Sequence, residues 1–126
     1  MARFVVQGGV PLQGEMTPTG NKNAALPMMA ACLLTDQPVT LKRVPDIEDV
    51  RVMSEVLREL GVQVTWEGDQ VTLKASDVDP DRLSPELCRK IRGSILLAGP
   101  LLARCGRVQL APPGGDVIGR RRLDAH

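Results

Sequence analysis

Hydrophobic and polar positions along the 126 residues change period several times, and the changes predict helices interleaved with short strands. Two short extended segments come first, Phe4 to Gln7 and Leu12 to Thr17, separated by Gly8, Gly9 and Pro11. Thr19, Gly20 and Asn21 then break the chain and offer a cap for a helix from Lys22 to Leu34. Ala, Leu and Met fall on nearly every side of that helix, the pattern of one buried over most of its surface. Val39 to Leu41 reads as a short strand. Asp46 is placed to cap a second helix, with Asp49 at its N3 position and Gly61 at its end. Ile47, Val50, Met53, Leu57 and Leu60 recur there at spacings of three and four, while Glu48, Arg51, Glu55, Arg58 and Glu59 take the opposite face. Val62, Val64 and Trp66 then alternate with polar residues, Gly68 and Asp69 turn the chain, and Val71 and Leu73 resume the alternation, which is a hairpin signature.

A polar stretch from Ser76 to Asp81, containing Pro80, predicts a boundary between a βαβαββ unit with N-terminal strands over 1–75 and a second unit over 76–126. Ser84 followed by Pro85 suits a helix start. Ser94 to Leu102 is an apolar helical run interrupted at Gly99 and Pro100, and Arg107 to Leu110 reads as extended. No further helix or strand follows to cover this second unit before His126, and complete domains avoid uncovered edges and apolar faces. The pattern therefore predicts an α/β fold in which a truncated first domain carries an incomplete second unit.

Composition narrows the function classes. Hydrophobic residues make up 43%, enough for a core, but aromatics only 2%, Phe4 and Trp66, which leaves no platform for stacking bases. A net charge of +1 supplies no field for attracting a polyanion, so nucleic acid is a poor partner. The N-terminus carries no apolar run with a small-residue cleavage site, and the longest apolar stretches fall short of the roughly 20 residues that span a bilayer. A soluble cytoplasmic protein is the expectation. Cys32, Cys88 and Cys105 are widely spaced and the single histidine is His126, so neither a metal site nor a disulfide framework is indicated, and buried free thiols are expected.

Three features have the chemistry of a site, and each has a plain structural reading beside it. Gly20-Asn21-Lys22-Asn23 opens a helix, where backbone donors, the helix dipole and the charge of Lys22 suit an anion; equally, Asn21 merely caps and Lys22 is solvated. Paired glycines in Pro113-Gly114-Gly115-Asp116-Val117-Ile118-Gly119 allow a tight, mobile loop to hold Asp116 over a neighbouring site, although Asp is also an ordinary turn residue. Arg89, Lys90 and Arg92, and Arg120, Arg121 and Arg122, are guanidinium and ammonium clusters suited to a phosphorylated ligand, or a solvated charged face.

Together these segments resemble one family. Val6-Gln7-Gly8, Leu12-Gln13-Gly14, Gly20-Asn21-Lys22-Asn23-Ala24-Ala25-Leu26-Pro27, Val44-Pro45, Leu60-Gly61, Arg92-Gly93-Ser94-Ile95, Gly99-Pro100-Leu101 and Pro113-Gly114-Gly115 occur in the order and approximate spacing of UDP-N-acetylglucosamine 1-carboxyvinyltransferases, over roughly their first third. The resemblance implies an inside-out α/β barrel of repeated units. It also implies transfer of the enolpyruvyl group of phosphoenolpyruvate to the 3-hydroxyl of UDP-N-acetylglucosamine with release of phosphate, needing no metal or organic cofactor and no obligate protein partner.

By the same resemblance Lys22 and Asn23 contact phosphoenolpyruvate, Arg92 contacts the nucleotide sugar, and the segment Arg121, Arg122, Leu123, Asp124 and Ala125 lines that substrate's site. Asp116 stands where most of the family has a catalytic cysteine and some members have Asp. Protonation of the enol methylene needs a general acid, and Asp116 is the expected donor. An ordinary Asp with pKa about 3.9 is ionised at neutral pH, so that role needs a local environment that returns its proton. Fosfomycin, which alkylates the family's cysteine, is expected to fail here. Arg122 and Leu123 depart from the usual Arg-Pro-Val-Asp-Leu. The family's second domain, with its general base and a further phosphate-binding arginine, has no counterpart in these residues, so the chain alone is expected to be inactive. The alternatives are a non-catalytic anion-binding module and 5-enolpyruvylshikimate-3-phosphate synthase, whose members lack the Pro-Gly-Gly-Cys/Asp loop.

Overall fold

The computed structural model describes residues 2–114, and in it Asn21 opens the first helix. Its backbone is extended and its Oδ1 accepts the Asn23 N–H at 2.7 Å, the bond that satisfies one of the donors a helix start leaves unpaired. The helix, α1 (Lys22–Ala31), tightens into a 3-10 turn at Cys32–Leu34. It turns Ala25, Leu26, Met29 and Ala30 inward, while Met28 and Leu34 remain exposed. One buried face therefore replaces the burial all round that its composition suggests.

After a short strand, β1 (Val39–Leu41), the chain enters α2 (Glu48–Glu59). Its apolar stripe follows the predicted three-and-four spacing at Val50, Met53, Leu57 and Leu60, all fully buried, and takes in Val56 as well, while Ile47 at its start is exposed. The cap differs. Ile47 occupies the N-cap position without a side-chain bond, because both carboxylate oxygens of Asp46 are engaged by Arg51, at 2.5 Å to Nε and 2.7 Å to Nη2. A bidentate guanidinium outcompetes a single backbone N–H for that carboxylate.

Two strands, β2 (Gln63–Glu67) and β3 (Gln70–Lys74), form the expected hairpin. β3 lies in the middle of a three-stranded antiparallel sheet of order β1-β3-β2. The register sets Val39 opposite Leu73 and Leu73 opposite Val64, so the apolar positions share the face turned to the helices. Thr40, Thr72 and Thr65 line up on the other face, where the Thr40 and Thr72 hydroxyls are 2.9 Å apart.

Ser84 caps α3 (Pro85–Lys90) by accepting the Leu87 N–H at 3.3 Å. A 3-10 helix (Arg92–Leu97) follows and leads into α4 (Ala98–Cys105). Gly99 and Pro100 begin this last helix instead of breaking one. Pro100 is its third residue, where the missing N–H has no intrahelical acceptor to lose.

The polar stretch after Ala75 does not divide the interior. Ile91, Leu97 and Leu101 join Met29, Leu33, Leu57 and Leu73 in one buried cluster. Neither Phe4 to Gln7, Leu12 to Thr17 nor Arg107 to Leu110 pairs as a strand among the described residues, and Phe4, Val6 and Leu12 are 92%, 88% and 97% exposed. An extended segment becomes a strand only when a ladder receives its backbone donors and acceptors, and none does so here. No helix of the described residues is long and apolar enough to cross a membrane.

Candidate active site

Lys22 is the first residue of α1, and its Nζ reaches 2.7 Å from Oδ2 of Asp49 in the first turn of α2. Both side chains are about half-exposed, so this is a pair at the rim of the packed helices and not an interior one. Asp49 also sits where the positive end of the α2 dipole favours an anion. The pair bridges two starts of helices 27 positions apart.

Three backbone donors of the first turn of α1 are committed. Asn21 takes them all: the Asn23 N–H through its side chain, and the Ala24 and Ala25 N–H groups through its carbonyl oxygen at 3.2 and 3.0 Å. These three are therefore not open to an anion. What remains for an incoming anion is the Lys22 ammonium, the exposed Asn23 side chain and the dipole itself.

The approach to this start is fixed by Gly20. A Cβ there would overlap the carbonyl oxygen of Arg43, a residue held at φ 54°, so only glycine lets the two backbones meet. Arg43 belongs to the link between β1 and α2. The residues before Lys22 and those leading to Asp49 are therefore locked together on both sides of the ion pair.

Arg92 is half-buried at the start of the 3-10 helix that packs on α1. Gly93 beside it faces Leu26 and Met53, and Ser94 is buried with its hydroxyl donating to the Cys88 and Ile91 carbonyls at 2.9 and 3.0 Å. Arg92 is thus carried on an element docked against the same two helices that present Lys22 and Asp49. Arg89 and Lys90 are exposed in the last turn of α3, where they complement its negative end.

Gly114 is the last described residue of the glycine segment. A Cβ at Gly114 would overlap the carbonyl oxygen of Arg89, so Gly114 itself lies directly against α3. Burial pushes the Cys88 thiol up, the hydrogen bond with the Ala111 backbone opposes that, and the Glu59 carboxylate adds to it. Burial likewise raises Cys32. Asp116, Arg120, Arg121, Arg122, Leu123, Asp124 and Ala125 lie outside the described residues.

Of the predicted site, then, Lys22, Asn23 and Arg92 are placed on adjoining elements, and Gly114 marks where the loop departs. Asp49 was read only as a first-turn residue of its helix. Nothing in the spacing could pair it with Lys22, since the pairing comes from the packing of α1 on α2. Surface hollows at Leu34, Thr35, Asp36, Ala103 and Arg104, and from Ser76 to Arg82, include none of the predicted residues. Among the described residues no His, Cys, Asp or Glu cluster could hold a metal ion.

This arrangement of helices on a small antiparallel sheet is the enolpyruvyl transferase fold. The crystal structure of the enolpyruvyl transferase NikO from Streptomyces tendae superposes with a TM-score of 0.68 at 31% identity, over 79% of this chain and 23% of that one. The chain belongs to the EPSP synthase (3-phosphoshikimate 1-carboxyvinyltransferase) family, whose profile matches residues 6–126. Similar proteins include the UDP-N-acetylglucosamine 1-carboxyvinyltransferases of Bradyrhizobium diazoefficiens, 54% identical over 98% of this chain and 29% of its own length, and of Treponema denticola, 50% identical over 100% and 30%. That of Acinetobacter guillouiae is 47% identical, again over 100% of this chain and 30% of its own length. The chain thus spans about 30% of the length of the relatives it matches.

Proposed function

We propose that the chain is the N-terminal portion of a UDP-N-acetylglucosamine 1-carboxyvinyltransferase. In this reading it serves the transfer of the enolpyruvyl group of phosphoenolpyruvate to the 3-hydroxyl of UDP-N-acetylglucosamine, the first committed step of peptidoglycan synthesis in the cytoplasm. Cell wall biogenesis, and through it cell shape and division, would depend on that step. The observation that carries the reading is identity of 47% to 54% over nearly the whole chain to relatives bearing that name.

The chemistry asks for two acts. First the methylene carbon of phosphoenolpyruvate takes a proton while the sugar hydroxyl, losing its own, bonds to the neighbouring carbon. Then the carbon–oxygen bond to phosphate breaks, a methyl proton leaves, and the double bond re-forms. Asp116 supplies the first proton. Lys22 offsets the phosphate charge as it redistributes, with Asn23 beside it, and Arg121 acts with it. Arg92 and the segment Arg121, Arg122, Leu123, Asp124 and Ala125 hold the nucleotide sugar. No metal or organic cofactor enters either act.

Phosphate release by the purified chain, given phosphoenolpyruvate and UDP-N-acetylglucosamine, tests the reading beside an Asp116→Asn variant. Release that depends on the acceptor and is lost in the variant supports it. Preference for shikimate 3-phosphate as acceptor would reassign the chain to the 5-enolpyruvylshikimate-3-phosphate synthases. Binding of phosphoenolpyruvate without turnover of either acceptor would leave the family assignment standing and favour an inactive fragment.

A further inference from the structure

We propose that Asp49 is the positioning residue for Lys22, holding the ammonium in the place from which it meets the phosphate of the substrate. The inference rests on the functional reading above for the identity of that phosphate. Its structural basis is independent: the 2.7 Å contact between Nζ and Oδ2, made across two helices that pack against each other.

The ordinary view of such a contact is that an ion pair at the surface adds little to stability, because two long side chains must be ordered to form it. That view sharpens the case here. Asp49 has a short side chain on the first turn of a helix that is itself anchored by six buried residues, so its position is set by the backbone. Lys22 is the partner with freedom to lose, on a four-carbon stem half-exposed to solvent. The pair therefore orders the lysine before any ligand arrives, and an ammonium has donors enough to keep one on Asp49 while offering others to a phosphate. The neighbouring carboxylate, Asp46, is engaged by Arg51. Gly20 against Arg43 fixes the backbone on either side, so the relation between residues 22 and 49 does not depend on the side chains alone.

Removing the Asp49 charge has two opposing effects. The part of the lysine's ordering that Asp49 supplies must then be restored at the moment of binding, which costs up to about 0.5–1.5 kcal/mol, or about twofold to tenfold in affinity. The ligand phosphate is also relieved of a nearby negative charge, which favours binding. Salt separates the two: at 1 M the screening length is about 3 Å, so repulsion across the site is quenched, while the 2.7 Å contact, itself weakened because it is half-exposed, still falls within that length.

The experiment is equilibrium binding of phosphoenolpyruvate to the full chain in high salt, with wild type, Asp49→Asn, Lys22→Met and the double variant. It is joined by nitrogen–proton NMR of the Lys22 ammonium without ligand. Asp49→Asn is expected to weaken binding about twofold to tenfold and to have no further effect in the Lys22→Met background, a dependence that a merely structural role would not show. The Lys22 ammonium signal, slowed in exchange by its carboxylate partner, is expected to broaden or vanish in Asp49→Asn and to return in Asp49→Glu. Unchanged or tighter binding in Asp49→Asn at high salt, or an equal loss in the Lys22→Met background, overturns the proposal. If wild type and Lys22→Met bind alike, the functional reading of Lys22 fails; the ammonium signal then decides the positioning separately, and its persistence in Asp49→Asn overturns it.

Discussion

Nη1 of Arg104 donates to the carbonyl oxygen of Leu33 at 2.7 Å, and the same nitrogen reaches the Thr35 carbonyl at 3.1 Å. Nη2 completes the clamp on the Ser76 carbonyl at 3.3 Å. One side chain near the end of α4 thus receives the carbonyls left over where α1 runs out and where the chain leaves β3. Arg104→Met keeps the apolar stem and removes every donor. We expect a loss of about 2–3 kcal/mol, seen as a lower urea midpoint with an unchanged slope, because hydrogen bonds to a charged group contribute more than neutral ones. Arg104→Lys should recover less than half of it, since an ammonium cannot span three carbonyls.

Gly20→Ala should destabilise by about 1–3 kcal/mol, because the new methyl meets a backbone oxygen of Arg43 that cannot swing aside as a side chain would. The same variant should weaken phosphoenolpyruvate binding beyond what its stability loss explains. Calorimetric melting and a binding isotherm on one preparation separate the two effects.

Leu73 is fully buried on the central strand β3, between β1 and β2. Leu73→Ala should cost about 2–5 kcal/mol, through lost burial and the cavity left behind. The exposed Leu12→Ala should change stability by less than about 0.5 kcal/mol. A denaturation midpoint for the pair that differed by less than their errors would contradict the placement of the core.

The Cys32 and Cys88 thiols are raised above their ordinary 9.0 by burial in the folded protein. A group whose folded pKa is raised contributes stability that is present below the unfolded value and lost as pH rises through the folded one. Urea midpoints should therefore fall more steeply above about pH 9 in wild type than in a Cys32→Ala, Cys88→Ala double variant. Alkylation by iodoacetamide at pH 8 should reach the half-buried Cys105 before either buried thiol.

How much of this was legible in the sequence follows the range of each interaction. The stripe of α2, the Gly68-Asp69 hairpin and the Ser84-Pro85 start are written within a few residues and appear in the structure. The Asp46 cap failed because a longer side chain, Arg51, competes for the carboxylate. The break at Gly99-Pro100 failed because a proline in a first turn costs little. Of the site, the Asn21 cap and the Lys22 position could be read; the pairing of Lys22 with Asp49 could not, since it depends on how two helices meet.

The sheet order β1-β3-β2 also sets how much chain must be made before β1 can pair. Thr40 leaves the ribosome 32 residues before Thr72, the partner its hydroxyl will meet. Through that interval the first strand lacks its one neighbour in the sheet, and α2, a helix of 12 residues, is marginal until it packs. A strand of three residues is too short to recruit a passing chain, so the nascent protein waits for β3 with little edge to misuse.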